Sequence, residues 1–290
     1  MRSFTALINP VSGRGNARTR WEAVARLLRE AGAAVRAEQT RSREHAIALA
    51  AGAARRGDVV VAAGGDGLVR DAAGGVVAAG GTLAIVPAGR GNDLARALGI
   101  PHDPAALAKL LAGAPARAID VLDAGGVIVP GNVYTGIDAM ATRIINASRR
   151  MPALLAYRLA PLRAAAAWHA AGFTVTADGR SRHVRAHSVV IANSGAYGHG
   201  LRIVPPAAVD DGLCDVMVIG DGPRRAIVTF MAEVKAGTHT RRPDVDLRTA
   251  RVVIIDADRP VPVCADGDEI VQLPVTIRLR KGALSVIAPA

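Results

Sequence analysis

The sequence predicts an α/β domain built on a parallel sheet, followed by a mainly antiparallel, β-rich domain. Three observations carry this. Within roughly the first hundred residues, a short apolar run ends three times in a glycine-bearing loop and passes into a segment of helical spacing. Beyond about residue 124 the texture changes to short runs of period-two character separated by turns such as Asp178-Gly179 and Asp221-Gly222. At 290 residues and 50% hydrophobic content the chain is long enough for two buried cores. The division falls into residues 1–124 and 125–290.

In chain order, Ser3–Asn9 reads as the first strand. Asn9-Pro10-Val11-Ser12-Gly13-Arg14-Gly15-Asn16 follows, then a helix over Ala17–Ala31 with Trp21, Val24, Leu27 and Leu28 on its apolar stripe. Ala34–Thr40 is the second strand and Glu44–Arg56 the second helix. Val59–Ala63 is a run without polar alternation, as expected of a strand buried on both faces. Gly64-Gly65-Asp66-Gly67 interrupts it, and a helix runs on to about Ala79. Thr82–Pro87 is the next strand, followed by Ala88-Gly89-Arg90-Gly91-Asn92-Asp93 and a short helix, Leu94–Leu98. Pro101–Pro115 holds one short helix, and Ala118–Asp123 leads into the second half. There the expected strands are Thr174–Ala177, Ser188–Asn193, Leu213–Ile219, Val252–Asp256 and Val275–Leu279. Two helices, Met151–Ala171 and Arg225–Lys235, interrupt them.

The formal charge is +11, carried mostly by arginine. A surplus of this kind suits an anionic partner: a phosphate ligand, an acidic membrane surface or nucleic acid. Nucleic acid ranks last. Base-stacking platforms need aromatic residues, and only 3% of the chain is aromatic. Cys214 and Cys264 belong to no CxxC and sit in apolar runs, which reads as buried thiols in a cytoplasmic protein. The N-terminus opens on a strand-like run rather than a signal peptide. No window is apolar enough to span a bilayer, because Arg158, Arg163 and His169 break the best candidate. Membrane contact is therefore expected to be peripheral.

The chemistry concentrates at Val59–Val69. Glycines let a ligand approach the main chain, and the helix behind them points free N–H groups and a positive dipole end back at the loop. That combination suits phosphate. Asp66 is the anomaly, since a carboxylate repels phosphate unless it holds a cation or a hydroxyl. The competing reading is a tight strand–helix turn capped by aspartate. In a parallel sheet such loops share the carboxyl edge of the strands, where ligands bind. None carries GK[ST], and Gly13-Arg14-Gly15 does not continue into GxGxxG, so a P-loop NTPase and a dinucleotide-binding dehydrogenase are both disfavoured.

The loops in order, Asn9-Pro-Val-Ser-Gly13, Thr40 with His45-Ala46, Gly64-Gly-Asp-Gly67, and Pro87-Ala-Gly-Arg-Gly-Asn-Asp93-Leu-Ala-Arg96, resemble the diacylglycerol kinase catalytic-domain family, which includes bacterial soluble lipid kinases and sphingosine kinases. The second half agrees through Asn132-Val-Tyr-Thr-Gly-Ile-Asp138, Asn193-Ser-Gly195, Pro205–Val216 (PPAAVDDGLCDV) and Ala265-Asp-Gly-Asp-Glu269. The resemblance spans essentially the whole chain. It implies an ATP-dependent lipid kinase: a three-layer α/β domain like those of NAD kinase and phosphofructokinase, a β-sandwich domain, and an active site between them. It places ATP on Asn9, Ser12, Gly13, Thr40, Gly64, Gly65, Asp66 and Gly67, with Gly89, Arg90, Asn92 and Asp93 completing the pocket. It places a structural Mg²⁺ on the Asp211 carboxylate and the carbonyls of Ala208 and Leu213.

The family's catalytic base is the Glu of a D-G-E motif. Here Asp268 follows Asp266-Gly267, and Glu269 comes one residue later. Asp268 is the candidate base with Glu269 in reserve, and in an extended strand neighbouring side chains face opposite ways. Leu68 stands where Thr is usual after GGDG, and Gly89-Arg90 replaces the usual G-T. Asp66 would reach a catalytic Mg²⁺ through water, and Asp268 would orient or deprotonate a lipid hydroxyl. The Met151–Ala171 segment, with Leu154, Leu155, Leu159 and Leu162, is a candidate lining for lipid tails. Arg149, Arg150, Arg158 and Arg163 are candidates for anionic headgroups. Strands flanking the second domain offer edges for pairing two copies. Two rival readings remain: a nucleotide- or lipid-binding regulator without turnover, and a kinase for a soluble acceptor.

Overall fold

The structure, a computed structural model, describes residues 2–10, 12, 16–147, 167–198, 200–222 and 226–289. Gly13, the segment proposed to line the lipid tails and its arginines lie outside the described residues, apart from the segment's end, where Trp168 is buried and Ala171 opens a strand.

Four strands, β1 (Ser3–Ile8), β2 (Ala34–Gln39), β3 (Val59–Gly64) and β4 (Thr82–Pro87), run parallel in the order β2-β1-β3-β4. All six residues of β3 are buried, as its unbroken apolar run requires. The helices α1 (Asn16–Glu30), α2 (Arg43–Arg55) and α3 (Asp66–Ala79) connect them. The chain reverses direction after β2, so right-handed crossovers put α1 on one face and α2 and α3 on the other. Accordingly α1 packs with α5 (Pro104–Gly113), and α2 packs with α3. The expected stripe of α1 is present: Trp21, Val24 and Leu28 are buried, and Leu27 is partly so. Ser42 caps α2 by accepting the His45 N–H at 3.2 Å, and Gly80 closes α3 with φ +71°. The short α4 is Asp93–Ala97.

Below the sheet, Asp58 is buried at the start of β3. It accepts hydrogen bonds from Ser3 Oγ at 2.6 Å and Thr5 Oγ1 at 2.8 Å, with Arg36 and Arg56 each 3.4 Å away. Burial raises its pKa, but the two hydroxyls and the two guanidiniums outweigh burial and hold it below the usual range. A lowered folded pKa contributes stability that is full above the unfolded carboxylate value and lost as pH falls through the folded one. Asp58→Ala is therefore expected to cost about 1–3 kcal/mol at pH 7. Urea unfolding should show the gap to wild type narrowing at acidic pH, and a gap that widens there would contradict this account.

The second half begins with β5 (Ala116–Ala124), β6 (Val127–Val129) and β7 (Asn132–Gly136), which passes directly into α6 (Ile137–Ala147). It continues through β8 (Ala171–Ala177), β9 (Arg180–Ala192), β10 (Cys214–Gly220), α7 (Ala226–Ala236), β11 (Val245–Ala250), β12 (Val252–Ala257), β13 (Pro262–Ala265), β14 (Asp268–Gln272) and β15 (Val275–Ile287). Pairing within this half is antiparallel. Two strands of 13 residues each change partners along their length. The first part of β9 pairs with β8, and its last part lies between β7 and β10. β15 pairs first with β12, then with β5, and finally runs parallel to β4.

Alternation sorts the side chains of the β13-β7-β9-β10 layer. Val133, Ile191, Val216 and Ala265 face one core with Phe173, Val253, Ile255 and Ile277. The opposite row, Cys264, Tyr134, Val190 and Met217, lies in register across the four strands and faces a smaller core with Ala139 and Val234. The chain is thus an N-terminal α/β domain and a C-terminal β-sandwich, with helices over the sandwich's outer face.

Candidate active site

At the carboxyl edge of the parallel sheet, the loops after β1 and β3 diverge to opposite faces and leave a crevice. Ser12 sits on one side of it, with its Oγ 3.4 Å from where a Gly64 Cβ would be. Asn9 and Thr40 come from the ends of β1 and β2, and Gly67 comes from the first turn of α3. All three line a cleft of about 500 Å³ that Arg41, Ser42, Arg43, Arg70, Asp268 and Glu269 also line. The cleft thus has the strand ends on one side and β14 on the other.

The Gly64–Gly67 stretch is half loop and half helix, because α3 already begins at Asp66. Its first N–H groups have no partner within the helix and remain available to an anion. Glycine is needed here for close approach. A Cβ on Gly89 would lie 2.4 Å from Gly65 Cα and 2.9 Å from Asn92 Oδ1, so the β3 and β4 loops cross backbone to backbone.

Asp66 is engaged inside the protein. Its Oδ2 accepts the Asn92 N–H at 2.8 Å, and its Oδ1 accepts the Asp93 N–H at 2.7 Å. It therefore fixes the start of α4 from the neighbouring loop. Burial pushes its pKa up and the charge of Asp93 adds to this, while the N–H groups of Asp93, Asn92 and Leu94 oppose both. Asn92 has φ +53°, and its side chain closes the loop by bonding the Gly89 N–H at 2.8 Å and the Gly89 carbonyl at 3.1 Å. Asp93 Oδ1 accepts the Gly200 N–H at 2.7 Å, which ties this loop to the second half. Arg90 is exposed on it.

Across the cleft, Asp266 and Gly267 form the two-residue turn between β13 and β14, with φ +53° and +82°. Asp268 and Glu269 follow, and their side chains diverge as adjacent strand residues do. Asp268 Oδ2 accepts from Arg70 Nη2 at 3.0 Å and lies 3.3 Å from where a Gly67 Cβ would be. Glu269 turns to α6, where Arg143 holds both its oxygens at 3.1–3.2 Å. The Asp266 carboxyl is buried and its Oδ2 has no hydrogen-bond partner. Burial pushes its pKa well up. Arg70 opposes this, and Asp66, Asp268 and Asp93 reinforce it.

With the geometry of both halves in view, comparison with known proteins decides the family. The diacylglycerol kinase catalytic domain model matches residues 3–124, and the YegS C-terminal NAD kinase beta sandwich-like domain model matches residues 131–288. The chain belongs to the diacylglycerol kinase family. It is 30% identical over 293 residues to the diacylglycerol kinase of Mycobacterium tuberculosis H37Rv, covering 98% of this chain and 94% of the relative. It is 32% identical over 274 residues to a probable lipid kinase YegS-like protein of Pseudomonas fluorescens, covering 93% and 86%. A crystal structure of a diacylglycerol kinase from Bacillus anthracis str. Sterne shares the fold, with a TM-score of 0.80, 23% identity, and coverage of 99% and 97%.

Within this diacylglycerol kinase-family chain, several second-half motif residues brace the fold. Asn132 Oδ1 accepts the N–H groups of Asn193 and Ser194 at 3.1 and 3.0 Å. Half-buried Asp138 accepts from Tyr197 Oη at 2.8 Å and Ser188 Oγ at 2.9 Å. Asp120, at 1% exposure, accepts the N–H groups of Gly212 and Gly282 at 2.7 Å each and locks the 208–215 loop to β15. Ala208, Asp211 and Leu213 lie on that loop, and none of them lines the cleft.

Arg70 and Arg143 escape the sequence reading, and Asp266 enters it only as a motif residue without a role. Arg70 did leave a signal: the one cation in a helix that apart from Asp66 and Asp71 is small and apolar, one turn after Gly67 and so on the same face.

Proposed function

We propose that this chain is an ATP-dependent lipid kinase that transfers the γ-phosphoryl group to a hydroxyl of a lipid such as diacylglycerol. The observation that carries this reading is the place of Asp268: a carboxylate held beside Gly67, where the free N–H groups of α3 begin. A phosphate on those N–H groups would sit next to a residue able to hold the attacking hydroxyl. Residues 1–124 would bind ATP, through Asn9, Ser12, Thr40, the Gly64–Gly67 turn and the Gly89–Asp93 loop. Residues 125–290 would present the lipid.

In phosphoryl transfer the protein mainly positions groups and neutralises charge. Here the α3 N-terminus holds phosphate oxygens, and Asp268 orients the lipid hydroxyl and accepts its proton at the carboxylate. Mg²⁺, if held at such a site, would supply positive charge to offset that of the transferring phosphates. Both Asp66 oxygens already accept main-chain N–H groups, which suits a water-mediated role better than direct ligation. At the start of β10, burial and the charge of Asp211 push the Asp215 carboxyl up to about 6. By donor chemistry, the Asp211 carboxylate, whose Oδ1 accepts the Leu213 N–H at 2.9 Å, would hold a hard cation with the Ala208 and Leu213 carbonyls. The lipid would be met peripherally by a cytoplasmic protein. No helix among the described residues is long and apolar enough to cross a membrane.

The test is transfer from γ-labelled ATP into a panel of lipids in mixed micelles, with and without Mg²⁺. Label in one lipid, lost when Mg²⁺ is withheld, is the expected result. ATP binding without label in any lipid or soluble acceptor would favour a binding protein instead. Label in a soluble acceptor alone would move the substrate class.

A further inference from the structure

Arg70 is the most enclosed cation at the cleft, at 3% exposure. Its guanidinium is shared among three groups. Nη1 donates to the Ala265 carbonyl at 2.9 Å, Nη2 donates to Asp268 Oδ2 at 3.0 Å, and Nε and Nη2 both reach Asp71 Oδ1 at 3.1 and 3.0 Å. Asp71 in turn lies 3.5 Å from Arg43 Nε. Arg70 therefore grips the β13–β14 turn from α3, by the carbonyl that precedes the turn and the carboxylate that follows it. A planar fork fixes both at once, which a point charge on a flexible stem cannot do.

The candidate base is an aspartate, roughly an ångström shorter in reach than a glutamate. A short side chain serves only if the strand that carries it is brought close. Gly67 leaves room for this, since a Cβ there would lie 3.3 Å from Asp268 Oδ2. We propose that Arg70 is a positioning residue: by holding Ala265 and Asp268 against α3, it sets the reach of Asp268 to the acceptor hydroxyl. This rests on the lipid-kinase reading above. Arg70 then acts on turnover through Asp268, with no direct part in holding ATP.

The experiment is a cycle of wild type, Arg70→Lys, Arg70→Gln, Asp268→Ala and the corresponding double variants. It measures kcat, the KM for ATP and the equilibrium affinity for ATP, with the labelled-lipid assay made sensitive enough to quantify Asp268→Ala. Arg70→Lys should lower kcat about tenfold and Arg70→Gln more, following the loss of the bidentate grip. ATP affinity should stay within about threefold, because the groups that meet phosphate are untouched. In the Asp268→Ala background, either Arg70 change should lower the rate by less than about twofold, since residues acting as one unit are non-additive. Losses that multiply in the double variants, or a rise in KM with kcat unchanged, would overturn the proposal. If Arg70→Gln fails to fold, Arg70→Lys carries the cycle alone. A wild type that labels no lipid would overturn the kinase reading itself, and a wild type that does label lipid leaves the cycle to judge Arg70.

Discussion

Asp268→Ala is expected to lower kcat for lipid phosphorylation by roughly 10²–10⁴-fold, the range typical of a lost general base or orienting carboxylate. ATP affinity should change little, because Asp268 acts on the hydroxyl while the α3 N–H groups hold the phosphates. Glu269→Ala should be much milder. Glu269 also lines the cleft, but both its oxygens are engaged by Arg143. Steady-state rates on the lipid that accepts label would check both. Transfer that survives Asp268→Ala and fails in Glu269→Ala would move the base by one residue. The structure would then have to exchange the Arg143 pair for a contact in the cleft.

Gly89→Ala should be the most damaging single-methyl change in the nucleotide loops. The added carbon would lie 2.4 Å from the Gly65 main chain and 2.9 Å from the Asn92 oxygen that closes the loop. Neither neighbour is the free end of a flexible side chain, so the two loops must separate. Overpacking of this kind costs about 1–3 kcal/mol and sometimes more, and against backbone the upper end is expected. Moving the loops also displaces the Asn92 and Asp93 N–H groups from Asp66. Urea unfolding and ATP titration should show both stability and nucleotide affinity falling. A variant with wild-type stability and normal ATP binding would mean that the loop crossing is looser than these distances imply.

Much of the fold could be read from local pattern. Each strand–loop–helix unit of the first half carries its own apolar run, glycine stop and periodic stripe. Strand ends were found within a residue or two at β1, β2 and β4. In the second half, alternation reveals β8, β10, β12 and parts of β9 and β15, but not β6, β7, β11, β13 and β14, nor α6, which follows β7 with no capping residue. Gly136 at φ +111° makes that junction against the His187 carbonyl, where a Cβ would lie 2.3 Å away. At the site, the loops were legible because their chemistry is written in consecutive residues. The charge network was not. Arg70 meets Asp268 across 198 residues of chain, and Asp66 meets Asp93 across 27, so no window of sequence contains either pair. Asp66 reads as a ligand for something foreign because its partners are main-chain N–H groups that only the crossing of two loops brings near.

β15 has a consequence for the order of assembly. Ser285 and Val286 pair with β4, while Leu284, Val286 and Ile287 are buried in the first core. During synthesis, β1 to β4 leave the ribosome long before β15 exists, so β4 waits as an open edge and that core waits with a wall missing. The nucleotide half can close only after the whole second half has been synthesised. The two halves are therefore not successive folding units, and contacts of such long sequence separation slow the final step. The exposed β4 edge in the nascent chain is the point at which a chaperone, or a wrong strand, would find this protein first.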